Sequence, residues 1–299
     1  MITAPRQNPI FVLCPPRSCS TVITAMLGQH PSLYAFPELN PFHCDTLGDL
    51  LDTKGRAGPV RAVGEVLLGG QDEATIDRAI AWLQARRAWA PADLLNLLLA
   101  RVGPRAGVEK SPGTLATQTG CRRMLEMFPH ARFIHLVRHP VSSLQSLERF
   151  MPERGWVDRD HDDPRGEAAL LWYVYHRRLC MLGEQMDSSR WCRIRAEDIL
   201  GDPPGNLRAV CGWLGIDDSP FAISCMSHPE NWPYASVAPG RLTGGDHHFM
   251  RSPEPRFHAQ DLAIPLPPDW SLPDKLGKAI DALGQSFGYG SIFETALAH

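Results

Sequence analysis

Five consecutive side chains, Arg17-Ser18-Cys19-Ser20-Thr21, offer a guanidinium, three hydroxyls and a thiol between two apolar runs, Ile10–Leu13 and Val22–Leu27. Pro15 and Pro16 end the first run, which reads as a buried strand, and the second run reads as a helix. A strand, a polar turn and a helix start together make an anion site. The first amide groups of a helix lack partners within it, and the helix dipole adds positive charge there. Arg17 and the hydroxyls of Ser18, Ser20 and Thr21 would add donors around one tetrahedral anion. The same residues also read as the Ser/Thr cap of an ordinary helix after a strand. No glycine precedes Gly28, and the pattern Gly-x4-Gly-Lys-Ser/Thr is missing, so a triphosphate cannot be wrapped in the usual way. The anion expected is a 5′-phosphate bearing something other than a β,γ-diphosphate.

Further along lie other residues with chemistry to offer. Glu38 follows a short apolar run, Leu33–Phe36, one helix after the polar turn. Parallel α/β sheets place their sites just past strand ends, although a solvated loop glutamate is the commoner fate. Lys110 stands in Glu109-Lys110-Ser111-Pro112, at a strand-to-helix junction, in a chain whose cations are mostly arginine. A compact ammonium there differs in kind from a guanidinium. Arg138 closes the clearest strand, Ala131–Val137, and Ser146 lies about two turns into the helix that follows. Together they would share a second phosphate, with His139 orienting the turn.

The elements that must position these groups alternate. Helices are expected over 73–89 and 92–102, then 114–128, a helix carrying Ser142, Ser143 and Ser146, then 166–186 and 273–287. Strands are expected at 107–109 and 191–195. Residues 41–105 read as a helical insertion, either a lid and acceptor wall or simple packing against the sheet. Residues 45–72 are punctuated by Gly and Asp, and 149–165 read as a polar, mobile loop. The fold expected is α/β: a P-loop-like parallel sheet flanked by helices, in one domain over 1–299, with a loop-rich cap over about 226–299.

The bulk numbers exclude several classes. With 299 residues and a net charge of −3, the chain can bury a full core and has no overall attraction to nucleic acid or anionic membrane. No apolar run reaches membrane-spanning length, and MITAPRQNP lacks a signal-peptide core, so a cytoplasmic location is expected. The eight cysteines are scattered without a Cys-x2-Cys pair, which fits reduced, buried thiols. His247 and His248 are adjacent, so their side chains diverge, and no metal is expected.

In order, the motifs resemble those of the PAPS-dependent sulfotransferases (PAPS is 3′-phosphoadenosine-5′-phosphosulfate). Pro16–Thr21 is similar to that family's 5′-phosphosulfate loop, and Arg138 with Ser146 to its 3′-phosphate motif. Arg195-Ala-Glu-Asp-Ile-Leu, with Asp202-Pro203 and Trp213-Leu-Gly-Ile216, is similar to a later family segment. Pro37-Glu38-Leu39 and Gly244-Gly245-Asp246 look most like bacterial natural-product members. The resemblance implies transfer of a sulfuryl group from PAPS to a hydroxyl of a small-molecule or carrier-bound acyl acceptor, with PAP (3′,5′-bisphosphoadenosine) as product and no metal. It implies Glu38 as general base, with His43 the alternative, and Arg17 and Lys110 as charge-neutralising groups. Arg17 to Thr21, Arg138, Ser146, Gly244 and Gly245 would hold the donor. Cys19 stands where the family has glycine, and Ala196 where it has a tyrosine that helps hold adenine. The competing readings are a P-loop-like nucleotide kinase and a PAP-binding module without transfer; a purely structural protein fits the motif order least.

Overall fold

The computed structural model describes residues 8–154, 163–253 and 264–293. Five strands form one sheet: β1 (Ile10–Leu13), β2 (Leu33–Ala35), β3 (Ala106–Glu109), β4 (Arg132–Val137) and β5 (Trp191–Arg195), in the order β2-β3-β1-β4-β5. Every pairing is parallel. Strand β1 is central, with Ile10 opposite both Val108 and Arg132 and Leu13 opposite His135. A strand covered on both faces needs an unbroken apolar run rather than alternation, and Ile-Phe-Val-Leu is that run. Phe11 packs against Phe42, Phe128 and Phe133 at ring-centroid distances of 5.7, 5.5 and 5.9 Å. These contacts tie the centre of the sheet to the segments on either side.

Parallel strands require crossovers, and helices supply them. Helix α1 (Ser20–Gly28) joins β1 to β2. Four helices separate β2 from β3: α2 (Leu47–Leu51), α3 (Ala57–Leu68), α4 (Glu73–Gln84) and α5 (Pro91–Val102). Helix α6 (Gln118–Met127) precedes β4, and α7 (Pro140–Arg154) and α8 (Pro164–Gly183) precede β5. Among the described residues five more follow: α9 (Ala196–Gly201), α10 (Pro203–Leu214), α11 (Pro220–Met226), α12 (His247–Arg251) and α13 (Asp274–Ser286). A second apolar cluster joins α7, α8 and α13 through Val141, Leu144, Trp172, Ile280 and Phe287.

One expectation is filled in and one corrected. Residues 45–72, punctuated by Gly and Asp within the expected helical insertion, carry α2 and α3, and two glycines of α3 are packing positions. A Cβ at Gly58 would lie 1.8 Å from the Glu38 carbonyl oxygen, and one at Gly64 would lie 2.8 Å from that of Gly70. The polar loop expected from 149 does not begin there, because α7 continues to Arg154 with Pro152 inside it. Residues 155–162, where the rest of that expected loop falls, lie outside the described residues, as do 254–263 of the expected cap.

Candidate active site

The sheet delivers its chemistry at the carboxyl ends of the strands. Strand β1 leads to the polar turn, β2 to Glu38, β3 to Lys110 and β4 to Arg138. The strand order reverses at β1, between β3 and β4, which is where open parallel sheets form a crevice.

In the turn, Arg17 (φ 68°) and Cys19 (φ 57°) both take left-handed backbone. That conformation disfavours residues with a Cβ, so Cys19 adopts the geometry that a glycine would take without strain. Ser18 is buried and donates to the Pro15 carbonyl at 2.9 Å, so its hydroxyl braces the turn. Helix α1 starts at Ser20 with no side-chain cap on its amides and no acidic residue in its first turn. Burial pushes the Cys14 thiol up to about 11 and raises that of Cys19, so both stay protonated at neutral pH.

Behind the turn, two distant motifs meet. Arg17 Nε donates to Ser146 Oγ at 3.0 Å, and Arg138 Nη1 donates to the Arg17 carbonyl at 2.9 Å. The Arg17 guanidinium also lies 5.3 Å from the Phe150 ring centroid and 3.1 Å from Asp246 Oδ2. Burial pushes the Asp246 carboxyl up, but the Arg17 charge and the hydrogen bond from His248 outweigh it and hold the group below the usual carboxylate range.

In front, Lys110 Nζ bridges Glu38 Oε1 (2.5 Å) and Thr21 Oγ1 (3.1 Å). Thr21 Oγ1 also accepts from the Asp246 amide at 3.1 Å. With both lone pairs engaged, only its proton remains for a ligand. The Glu38 amide donates to the Gly244 carbonyl at 2.8 Å. Gly244 (φ 70°) lies against Pro37 and Gly58, where a Cβ would come within 3.1 Å of both, and Gly245 lies against Thr21. A strap from the C-terminal part of the chain therefore lies directly on the turn and on Glu38.

The turn, Glu38 and part of the strap line one cavity of about 430 Å³, large enough for a small ligand. Its wall includes Arg17 to Thr21, Glu38, Asn40, His43, Gly245 and Asp246, with Thr53, Lys54 and Gly55 from the segment between β2 and β3 and Phe150 and Tyr175 opposite in sequence. Lys110, 3% exposed, reaches the site from below through Glu38 and Thr21. Arg138 and Ser146 reach it through Arg17.

Sequence reasoning missed four residues. Asp246 directly follows the Gly-Gly pair, which was its signal. Arg61, 1% exposed, donates to the carbonyls of Thr243 (2.6 Å) and Tyr234 (3.3 Å) and anchors the strap; no pattern in the sequence marks it. Glu197 accepts from the His139 amide at 2.7 Å and from the Tyr289 hydroxyl at 2.8 Å, fixing the turn after β4. Burial raises its carboxyl against those two bonds. Glu109 is the fourth, a carboxylate inside an apolar strand end. Ala196 is buried at the start of α9.

Among the described residues, no group of three or more His, Cys, Asp or Glu side chains is placed to hold a metal, and no helix is long and apolar enough to cross a membrane.

Known proteins share this architecture. The sulfotransferase domain from the curacin biosynthetic pathway superposes with a TM-score of 0.81 at 22% identity, covering 95% of this chain and 99% of that one. The sulfotransferase domain of the Synechococcus PCC 7002 olefin synthase gives 0.70 at 26% identity, covering 96% and 97%. A curated relative from Mycobacterium bovis, omega-hydroxy-beta-dihydromenaquinone-9 sulfotransferase Stf3, is 33% identical over 99 residues, which are 32% of this chain and 26% of that protein. The chain thus spans about a quarter of the length of the curated relatives it matches. Residues 9–220, from the first strand through the helix start at Pro220, match the sulfotransferase family, and the chain belongs to that family.

Proposed function

We propose that the protein transfers the sulfuryl group of PAPS to a hydroxyl of a small-molecule or carrier-bound acyl acceptor, leaving PAP. The observation that carries this reading is the Lys110 ammonium held between Glu38 and Thr21, both of which line the cavity that begins at the polar turn. The donor fits the chain's own groups: an uncapped helix start beside Arg17 supplies amides and positive charge for the 5′ group. Arg138 and Ser146, both bonded to Arg17, supply a cation and a hydroxyl for a 3′-phosphate. When bound, the donor contributes a sulfuryl group on a phosphate leaving group.

Glu38 Oε1 is engaged by Lys110, while among the described residues Oε2 takes no hydrogen bond and is available to an acceptor hydroxyl. Glu38 would take the acceptor proton, typically a ~10²–10⁴-fold effect. Protonation weakens the Glu38–Lys110 ion pair, which frees the Lys110 charge for oxygen at the reacting centre as negative charge grows there. Arg17 stabilises the same charge, in the manner of an oxyanion-hole donor. His43 lines the same cavity and is the alternative base.

The test is calorimetric titration with PAP, AMP and ATP, followed by an acceptor screen with PAPS. PAP is expected to bind and AMP and ATP are not. Glu38→Gln is expected to bind PAP normally with turnover reduced ~10²-fold or more. Normal turnover in that variant would remove Glu38 from the reaction.

A further inference from the structure

Resting on the sulfuryl-transfer reading, we infer that Glu109 is a positioning residue for the reacting pair: its buried carboxylate, with Ser111, fixes the backbone that follows Glu38 and so sets Glu38 against Lys110.

The geometry is a short zipper between two segments far apart in the chain. Glu109 Oε1 accepts from the Leu39 amide at 3.3 Å and from the Ser111 hydroxyl. Ser111 Oγ in turn accepts from the Asn40 amide at 2.8 Å. Between them in sequence, Lys110 Nζ holds Glu38 Oε1 at 2.5 Å. Residues 38, 39 and 40 thus meet 110, 109 and 111. Alternate residues of an extended segment point to opposite sides. Glu109 and Ser111 can therefore grip backbone while Lys110 reaches the carboxylate.

Two features show that the grip has something to hold. Asn40 has φ 51°, a left-handed conformation that a non-glycine residue keeps only when its surroundings impose it. Glu109 is 2% exposed, and a carboxyl placed there without work to do would be replaced at lower cost by an apolar side chain. Burial pushes this carboxyl up to about 7, while the bonds from Ser111 and Leu39 pull it back, and Lys110 and Glu38 act on it in opposite senses. Glu109 itself does not reach the cavity wall.

The experiment compares Glu109→Ala, Glu109→Gln and Ser111→Ala with wild type. It reads amide hydrogen exchange at residues 38–41, PAP binding, and the reverse transfer in which the sulfuryl group of p-nitrophenyl sulfate passes to the 5′-phosphate of PAP, forming PAPS and releasing p-nitrophenol. Glutamine keeps a carbonyl acceptor for both donors, whereas alanine keeps none. In Glu109→Ala, exchange at Leu39 and Asn40 is expected to rise about tenfold, the equivalent of one lost hydrogen bond. The turnover number is expected to fall roughly 10²-fold, as for a misplaced reacting group, with PAP affinity unchanged within twofold. Glu109→Gln should restore both to within about threefold of wild type. If Glu109→Ala does not fold, Ser111→Ala carries the test and is expected to speed exchange at Asn40 alone. Unchanged exchange in the alanine variants overturns the brace while leaving the sulfuryl-transfer reading standing. Faster exchange with undiminished turnover overturns its catalytic consequence. A wild type that neither binds PAP nor releases p-nitrophenol overturns the sulfuryl-transfer reading and that consequence with it, and the exchange data still judge the brace.

Discussion

Arg17 Nε and Ser146 Oγ, 129 residues apart in sequence, lie 3.0 Å from one another and join the turn after β1 to helix α7. Arg138 reinforces the joint by donating to the Arg17 carbonyl. The two anion motifs are thus joined in one structure.

The first prediction concerns discrimination by phosphate position. Arg138→Ala should weaken PAP binding by ~10–100-fold, the range for a lost hydrogen bond to a charged group. Adenosine 5′-phosphosulfate, which has no 3′-phosphate, should bind wild type and variant about equally. Calorimetry with both ligands checks this; an equal loss for the two would assign Arg138 a role in the turn alone.

Asp246 places a second test on Arg17. Its carboxylate lies 3.1 Å from the guanidinium that a donor anion needs. Asp246→Asn removes that negative charge while keeping a side chain able to cap α12. PAP affinity should rise several-fold, since a competing charge is gone. A fall in affinity would mean that the ion pair holds Arg17 in its binding orientation.

Cys19 tests the turn itself. Its left-handed backbone suits glycine and opposes β-branching. Cys19→Gly should keep PAP binding, with a small change in Tm because relief of strain and loss of chain stiffness offset one another. Cys19→Val should lose at least ~1–2 kcal/mol and several degrees of Tm, measured by calorimetric melting.

A pH prediction comes from the second apolar cluster. His135 Nε2 and His176 Nδ1 are 2.9 Å apart and fully buried. Burial and the Arg193 charge hold His176 down to about 3, and His135 also lies well below its ordinary value. The unfolded rings protonate near pH 6.5 and the folded ones do not. Stability is therefore retained above that pH and lost as pH falls from about 6.5 toward 3, by roughly 1.4 kcal/mol per pH unit for each ring kept neutral. Imidazole NMR should show both rings neutral at pH 5; a ring that titrates near 6.5 would contradict this.

Much of this was legible in the chain. Ile10–Leu13 is a short apolar run and Ala131–Val137 a short segment dominated by Phe, Ile, Leu and Val, and they became two adjacent strands at the centre of the sheet. Arg17, Glu38, Lys110 and Arg138 stood at strand exits, and a parallel sheet gathers such exits on one edge. Arg61 and Glu109 were not legible. Arg61 is a charged residue among apolar neighbours and Glu109 stands beside a lysine that draws the eye first, and their partners lie in segments that only the fold brings near: Thr243 for Arg61 and Leu39 for Glu109. Within the helical insertion the bounds of α3 were not legible either, and the reason for Gly58 shows only in the fold: the absence of a side chain lets the helix approach Glu38.

The all-parallel sheet also constrains how the protein comes into being. No two neighbouring strands are joined by a hairpin, so every pairing waits for a crossover to close, and such topologies assemble slowly. The contacts that build the site span 72 residues for Glu38 and Lys110, 129 for Arg17 and Ser146 and 225 for Thr21 and Asp246. A nascent chain thus holds all five strands before it holds the strap, and an intermediate lacking the strap has Arg17 without Asp246 and Thr21 without its amide partner. Competence arrives last, as a property of the finished topology, and is the first thing a partial unravelling of the C-terminal strap would remove.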